Sequence, residues 1–112
     1  GASSPPTATT AADASGEPMH PGDAGAQARE VLRRIASALG EAGASMDDVV
    51  RTRMYVVDIE RDWEAIGRAH GEVFARARPA STMVEVRRLI HPGLLVEIEA
   101  EAVAAQSPSR TM

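Results

Sequence analysis

Between positions 79 and 102 the chain reads PASTMVEVRRLIHPGLLVEIEAEA, and the alternation there constrains the fold more than any other feature. In the second half Leu94, Val96, Ile98 and Ala100 alternate with Leu95, Glu97, Glu99 and Glu101. A period of two places three carboxylates on one face of a sheet and the aliphatics on the other. In the first half Thr82, Val84 and Val86 alternate with Ser81, Met83, Glu85 and Arg87. Two strands joined by a short turn at His91-Pro92-Gly93 are therefore expected. A face with that much charge must be solvated, paired with another subunit, or part of a site.

The remaining elements follow from apolar spacing. Ala28, Val31, Leu32, Ile35, Leu39 and Ala42 recur at three and four, which predicts a helix over about 25–41, with Asp23 as N-cap and Gly43 as terminator. Ser45 and Asp48 have capping-box spacing, and 49–57 then reads as a strand. In that strand Val50, Thr52, Met54 and Val56 form one face, and Arg51, Arg53 and Tyr55 the other. Asp58 or Asp62 caps a second helix running to about Ala77, with a stripe of Trp63, Ile66, His70, Val73, Phe74 and Ala77; Pro79 stops it. The order is helix, strand, helix, strand, strand. Two amphipathic helices covering one apolar sheet face make an α+β domain. The opposite face is expected to carry Arg51, Arg53, Tyr55, Ser81, Met83, Glu85, Arg87, Glu97, Glu99 and Glu101.

Composition sets the bounds. Residues 1–22 hold no hydrophobic run and are rich in Ala, Ser, Thr, Pro and Gly, so they read as a flexible segment whose first three residues resemble an expression scar. Residues 23–105 read as the folded domain and 106–112 as a polar tail. A core of about 80 residues is small enough that association is a common remedy. The net charge of −4, the absence of a basic stripe and the three aromatics argue against a nucleic-acid partner. With no cysteine, thiol nucleophiles and thiolate metal sites are excluded, and three scattered histidines lack ligand spacing, so no metal is expected. No stretch reaches the roughly 20 apolar residues of a membrane span and the start lacks a signal-peptide pattern, which reads as a cytoplasmic chain.

Three segments together resemble a known family: GDAGAQAREVLRRIASALGEAGASMDDVVRTRMYVVDIERDWEAIGRAHGEVF, then RPASTMVEV, then LLVEIEAEAV. In this order and spacing they resemble the Rid proteins, the YjgF-type reactive intermediate deaminases also labelled endoribonuclease L-PSP, over about 16–104. The resemblance implies a chorismate-mutase-like fold, with a mostly antiparallel sheet and two helices on one face. It also implies a homotrimer whose sheets form a central barrel with clefts between subunits. It further implies cofactor-free hydrolysis of small imines or enamines to carbonyl compounds and ammonia.

Two departures from the family pattern stand out. Pro79-Ala80-Ser81-Thr82 places Ser81 where deaminase members carry an arginine that grips the substrate carboxylate. A serine cannot make that planar two-pronged contact. The N-terminal hairpin of the family, with its site tyrosine, also reads as missing, which would leave an edge strand uncovered.

By the resemblance, Glu97 takes the position of the catalytic glutamate that orients water. Ser81, Met83 and Tyr55 are expected on its face as substrate-binding residues, with Arg51 and Arg53 as substitutes for the lost arginine or as partners of the glutamates. Arg88 reads as a structural basic residue, His70 as a hydrogen-bonded core histidine, and Trp63 and Phe74 as core. The function implied is a small-metabolite deaminase. The alternatives are a trimeric binding or regulatory module and, last, a ribonuclease.

Overall fold

The computed structural model describes residues 2–3 and 6–104. Strands β1 (Ala2–Ser3) and β2 (Thr7–Thr10) precede helix α1 (Ala24–Glu41). A 3-10 turn (Met46–Asp48) leads into β3 (Val49–Val56), followed by α2 (Ile59–Val73), β4 (Ala80–Glu85) and β5 (Val96–Ala104). The polar tail expected at 106–112 lies outside the described residues.

Both helices start where short acceptors meet orphan N–H groups. Asp23 Oδ1 accepts from Ala26 N at 2.9 Å, and Asp58 Oδ1 accepts from Arg61 N at 3.1 Å. Glu85 reaches back from β4 to accept the N–H of Ile59 at 3.0 Å, tying the start of α2 to the sheet. Gly43 ends the first helical unit at φ 84°, a conformation that costs glycine little. Ser45 and Asp48 then form the expected capping box, with Ser45 N donating to Asp48 Oδ2 at 2.9 Å.

β5 is the central strand, antiparallel to β3 on one side and to β2 and β1 on the other, while β4 runs parallel to β3 at the far edge. The sheet is therefore mixed, and β4 and β5 are not a hairpin, because β3 lies between them. The reason is α2: a helix connecting β3 to β4 returns the chain in the same direction, as parallel pairing requires. Residues 86–95 cross over β3 rather than turning tightly. Helices α1 and α2 pack against one sheet face and against each other, with a core of Val31, Leu32, Ile35, Ile66, Met54, Val56, Val96, Ile98 and their neighbours.

Four expectations give way. Thr7–Thr10 is not flexible; it pairs with 97–100 of β5, and Ala11 behind it is fully buried. Main-chain pairing needs no apolar run, so composition alone did not reveal it. β5 thus has a neighbour on each side, and the edge expected to be bare is covered along that stretch. In β3 a register irregularity between Val49 and Arg51 buries Val49 and turns Val50 outward, while Thr52, Met54 and Val56 stay inside as expected. Helix α2 ends at Val73, and its buried line is Asp62, Ile66 and Ala69. Trp63, expected in the core, is 54% exposed, and Val73 40%.

The fourth correction concerns β4. Its parallel register sets Ser81 beside Thr52, Met83 beside Met54 and Glu85 beside Val56. Paired residues point to the same side of a sheet, so Ser81, Met83 and Glu85 belong to the helix-covered face. Thr82 and Val84 share the side of Arg53 and Tyr55. Met83 packs against the core accordingly.

Candidate functional site

The helix-free face of the sheet carries the charge. Across β3 and β5 the register opposes Tyr55 to Glu97, Arg53 to Glu99 and Arg51 to Glu101. Arg53 Nη1 donates to Glu99 Oε1 at 3.0 Å and to Glu101 Oε1 at 3.1 Å. Those two hydrogen bonds hold the Arg53 guanidinium above its ordinary range. The Tyr55 hydroxyl donates to Glu99 Oε1 at 3.3 Å, and the phenol is pushed up by desolvation first and by the charge of Glu99 second. Arg53 is thus a partner of the glutamates in this chain, and Glu99 and Glu101 are its counter-charges.

Glu97 differs from its two neighbours on β5. Among the described residues it has no ion-pair or side-chain hydrogen-bond partner, and it borders an open cleft of about 300 Å³. Tyr55, Glu97, Glu99 and Ala8 of β2 line its sheet side, while Val86, Arg88 and Leu89 come from the crossover 86–95. Arg88 is exposed and likewise has no ion-pair partner among the described residues.

The crossover is held from both ends. Val86 N donates to Val56 O at 2.8 Å, and Val57 N donates to Leu95 O at 3.2 Å. The fully buried Gln27 of α1 donates from Nε2 to Gly93 O at 3.0 Å and to Met19 O at 3.1 Å, and accepts from Leu95 N at 2.8 Å. Gly93 packs so closely that a Cβ there would lie 2.7 Å from Pro18 Cγ. A helix side chain thereby fixes the loop that presents Arg88 and Leu89.

Of the residues singled out from the sequence, Glu97 and Tyr55 come together in the cleft. Arg53 lies beside it, engaged by Glu99 and Glu101. Arg51 is four residues from Tyr55 along β3, about 13 Å at strand rise, and is exposed away from the cleft. Ser81 and Met83 sit on the other face and do not meet Glu97 within the chain. Ser81 instead ends a hydroxyl chain: His70 Nε2 lies 2.7 Å from Thr52 Oγ1, which donates to Ser81 Oγ at 2.9 Å, which donates to the Pro79 carbonyl at 3.1 Å. Burial lowers the His70 pKa from its ordinary value. His70 is thus a hydrogen-bonded histidine at the edge of the core, as its place on the apolar stripe suggested.

The sequence gives Arg88 a structural reading and Val86 only a place in a strand, and it marks neither Leu89 nor Ala8. The signal available was that Arg88 follows a strand end, but only the path of the crossover brings it to Glu97. Among the described residues no group of His, Asp or Glu side chains is arranged to hold a metal ion, and no helix is long and apolar enough to cross a membrane.

The comparisons with known proteins agree with one another. A family model described as endoribonuclease L-PSP matches residues 7–104. A RutC family protein of Pyrococcus abyssi is 38% identical over 81 residues, covering 72% of this chain but only 62% of that protein's length. The 3-aminoacrylate deaminase RutC of Acinetobacter baylyi is 38% identical over 90 residues, 80% of this chain and 70% of that protein. A crystal structure from Mycobacterium tuberculosis, of a member of the YjgF/YER057c/UK114 family, superimposes with a TM-score of 0.75 at 51% identity. It covers 86% of this chain and 74% of that one.

Proposed function

The chain belongs to the endoribonuclease L-PSP family, the Rid or YjgF proteins, and on that premise we propose that it hydrolyses a small imine or enamine, with Glu97 orienting the attacking water. The observation that carries the reading is the contrast along β5: Glu99 and Glu101 share the Arg53 guanidinium, while Glu97 has no such partner among the described residues and faces the cleft. A carboxylate without a competing ion pair beside an open cleft fits the role of general base. Water adds to the carbon of the C=N bond as Glu97 takes its proton. The proton passes to nitrogen, and collapse of the carbinolamine releases ammonia and leaves a carbonyl. Water is the only co-reactant. An enamine first takes a proton on carbon to become the imine. The name of the Acinetobacter relative supports this class, since 3-aminoacrylate is an enamine.

The assembly in this reading is a homotrimer with clefts at the subunit boundaries. Its support is the sheet face that the helices leave open, where Arg51 is exposed and Arg53, Tyr55, Glu97, Glu99 and Glu101 are half-buried, with Val50 and Val84 exposed at 49% and 40%. A second copy covering that face would bury it. Ser81 and Met83, on the free edge strand, enter such a site only from a neighbouring copy. Ribonuclease activity is disfavoured, because the cleft presents Glu97 and Glu99 to a phosphate backbone in a chain of net charge −4.

The test is ammonia release from 2-iminopropionate and from carboxyl-free imines, wild type against Glu97→Gln, with oligomeric state measured by sedimentation. Loss of turnover by 100-fold or more in the variant is expected. Equal rates overturn the role of Glu97, and no turnover on any substrate favours the alternative of a trimeric metabolite-binding module.

A further inference from the structure

The cleft holds two opposite charges that do not neutralise each other. Glu97 lies on its sheet side and Arg88 on the crossover above it, and neither has an ion-pair partner among the described residues. The charged groups beside them are engaged: Arg53 by Glu99 and Glu101, Glu99 also by the Tyr55 hydroxyl. Beyond the two charges the lining is apolar, with Val86, Leu89 and Ala8. A site of this kind is complementary to a small dipolar molecule with an anion at one end and a nitrogen centre at the other.

From this arrangement, and resting on the reading of the cleft as the site, we infer that Arg88 is the anion anchor, gripping the substrate's carboxylate while Glu97 addresses its nitrogen-bearing carbon. Arg88 then selects substrates that carry a carboxylate over uncharged imines. The guanidinium is suited to the task, since its planar fork matches a carboxylate. Position 81 carries a serine whose hydroxyl is committed to the Pro79 carbonyl, on the opposite side of the sheet. That serine brings no charge, and Arg88 is the arginine that lines the cleft beside Glu97. Its position is prepared by the Gln27 clamp on the other end of the same loop.

The experiment uses the full chain with Arg88→Ala, Arg88→Lys and, as control, Arg87→Ala, whose side chain does not line the Glu97 cleft and borders an adjoining hollow that shares Arg88 and Leu89 with it. Folding is checked by circular dichroism. Binding of pyruvate, which keeps the carboxylate and replaces C=N by C=O, is measured by NMR titration beside pyruvamide, and KM is measured with 2-iminopropionate. Arg88→Ala is expected to weaken pyruvate binding and raise KM by about 10- to 100-fold, with kcat little changed. Arg88→Lys should recover part of the loss, while pyruvamide binding and Arg87→Ala stay at wild-type levels. Unchanged pyruvate affinity in Arg88→Ala overturns the inference, as does a wild type that binds pyruvate no better than pyruvamide. The deaminase reading fails separately: Arg88-dependent pyruvate binding without any turnover keeps the anchor and removes the chemistry.

Discussion

Replacing Gln27 tests whether one buried amide holds the crossover that shapes the cleft. Its side chain is fully buried and bridges three main-chain groups, the carbonyls of Met19 and Gly93 and the N–H of Leu95. Gln27→Leu keeps the approximate volume and leaves all three without that partner. At about 1 kcal/mol for each group, offset in part by leucine's apolar gain, the net loss is about 2–3 kcal/mol. With a urea m-value of about 1.5 kcal/mol/M, the midpoint should fall by about 1.3–2 M. Far-UV circular dichroism at fixed protein concentration is the suitable assay, because the single tryptophan, Trp63, is 54% exposed and reports little on the core. Gln27→Glu sharpens the test. It still accepts from Leu95 N, but when ionised it has no proton for the two carbonyls. The fold therefore favours the protonated acid and raises its pKa above the unfolded value of about 4.3. The deficit against wild type should be smallest below that pH and grow as pH rises through the folded value. A Gln27→Leu midpoint within 0.3 M of wild type, or a pH-independent Gln27→Glu deficit, would refute the reasoning.

Three further outcomes are expected. Gly93→Ala places a methyl 2.7 Å from the Pro18 ring, which cannot swing aside, so urea denaturation should show a loss of about 1–3 kcal/mol. The His70 pKa is lowered by burial, so between its folded and unfolded values the unfolded state binds more protons; stability is lost as pH falls below about 6.5, and urea midpoints at pH 7.5 and 5 should show this slope reduced in His70→Gln. Arg53→Glu gathers three carboxylates where Glu99 and Glu101 now share one guanidinium, so, for the proposed trimer, sedimentation velocity at low salt should show a shift toward monomer relative to wild type.

Helix caps and the faces of β5 were legible because they depend on local chemistry. Asp23, Asp58 and the Ser45–Asp48 pair satisfy N–H groups within three residues of themselves, so their spacing in the chain is the interaction. The glutamates of β5 declare their side because an ion cannot share the core with Ile98 and Val96. β4 offers no such contrast. Ser81, Met83 and Glu85 on one row and Thr82 and Val84 on the other are each part polar and part apolar, and alternation says only which residues share a row. The phase is decided by pairing with β3, where Ser81 falls beside Thr52 and finds its hydroxyl, and Met83 falls beside Met54. That pairing is parallel, so it is set by the helix between the two strands and has no signature in either one. The same nonlocal step concealed the cleft. Arg88 is nine residues from Glu97 in the chain, yet what brings them together is an amide on α1 that grips Gly93 and Leu95, more than sixty residues away in sequence. A motif can therefore identify Glu97 by its strand, whereas its partner across the cleft follows only once the crossover's anchor points are known.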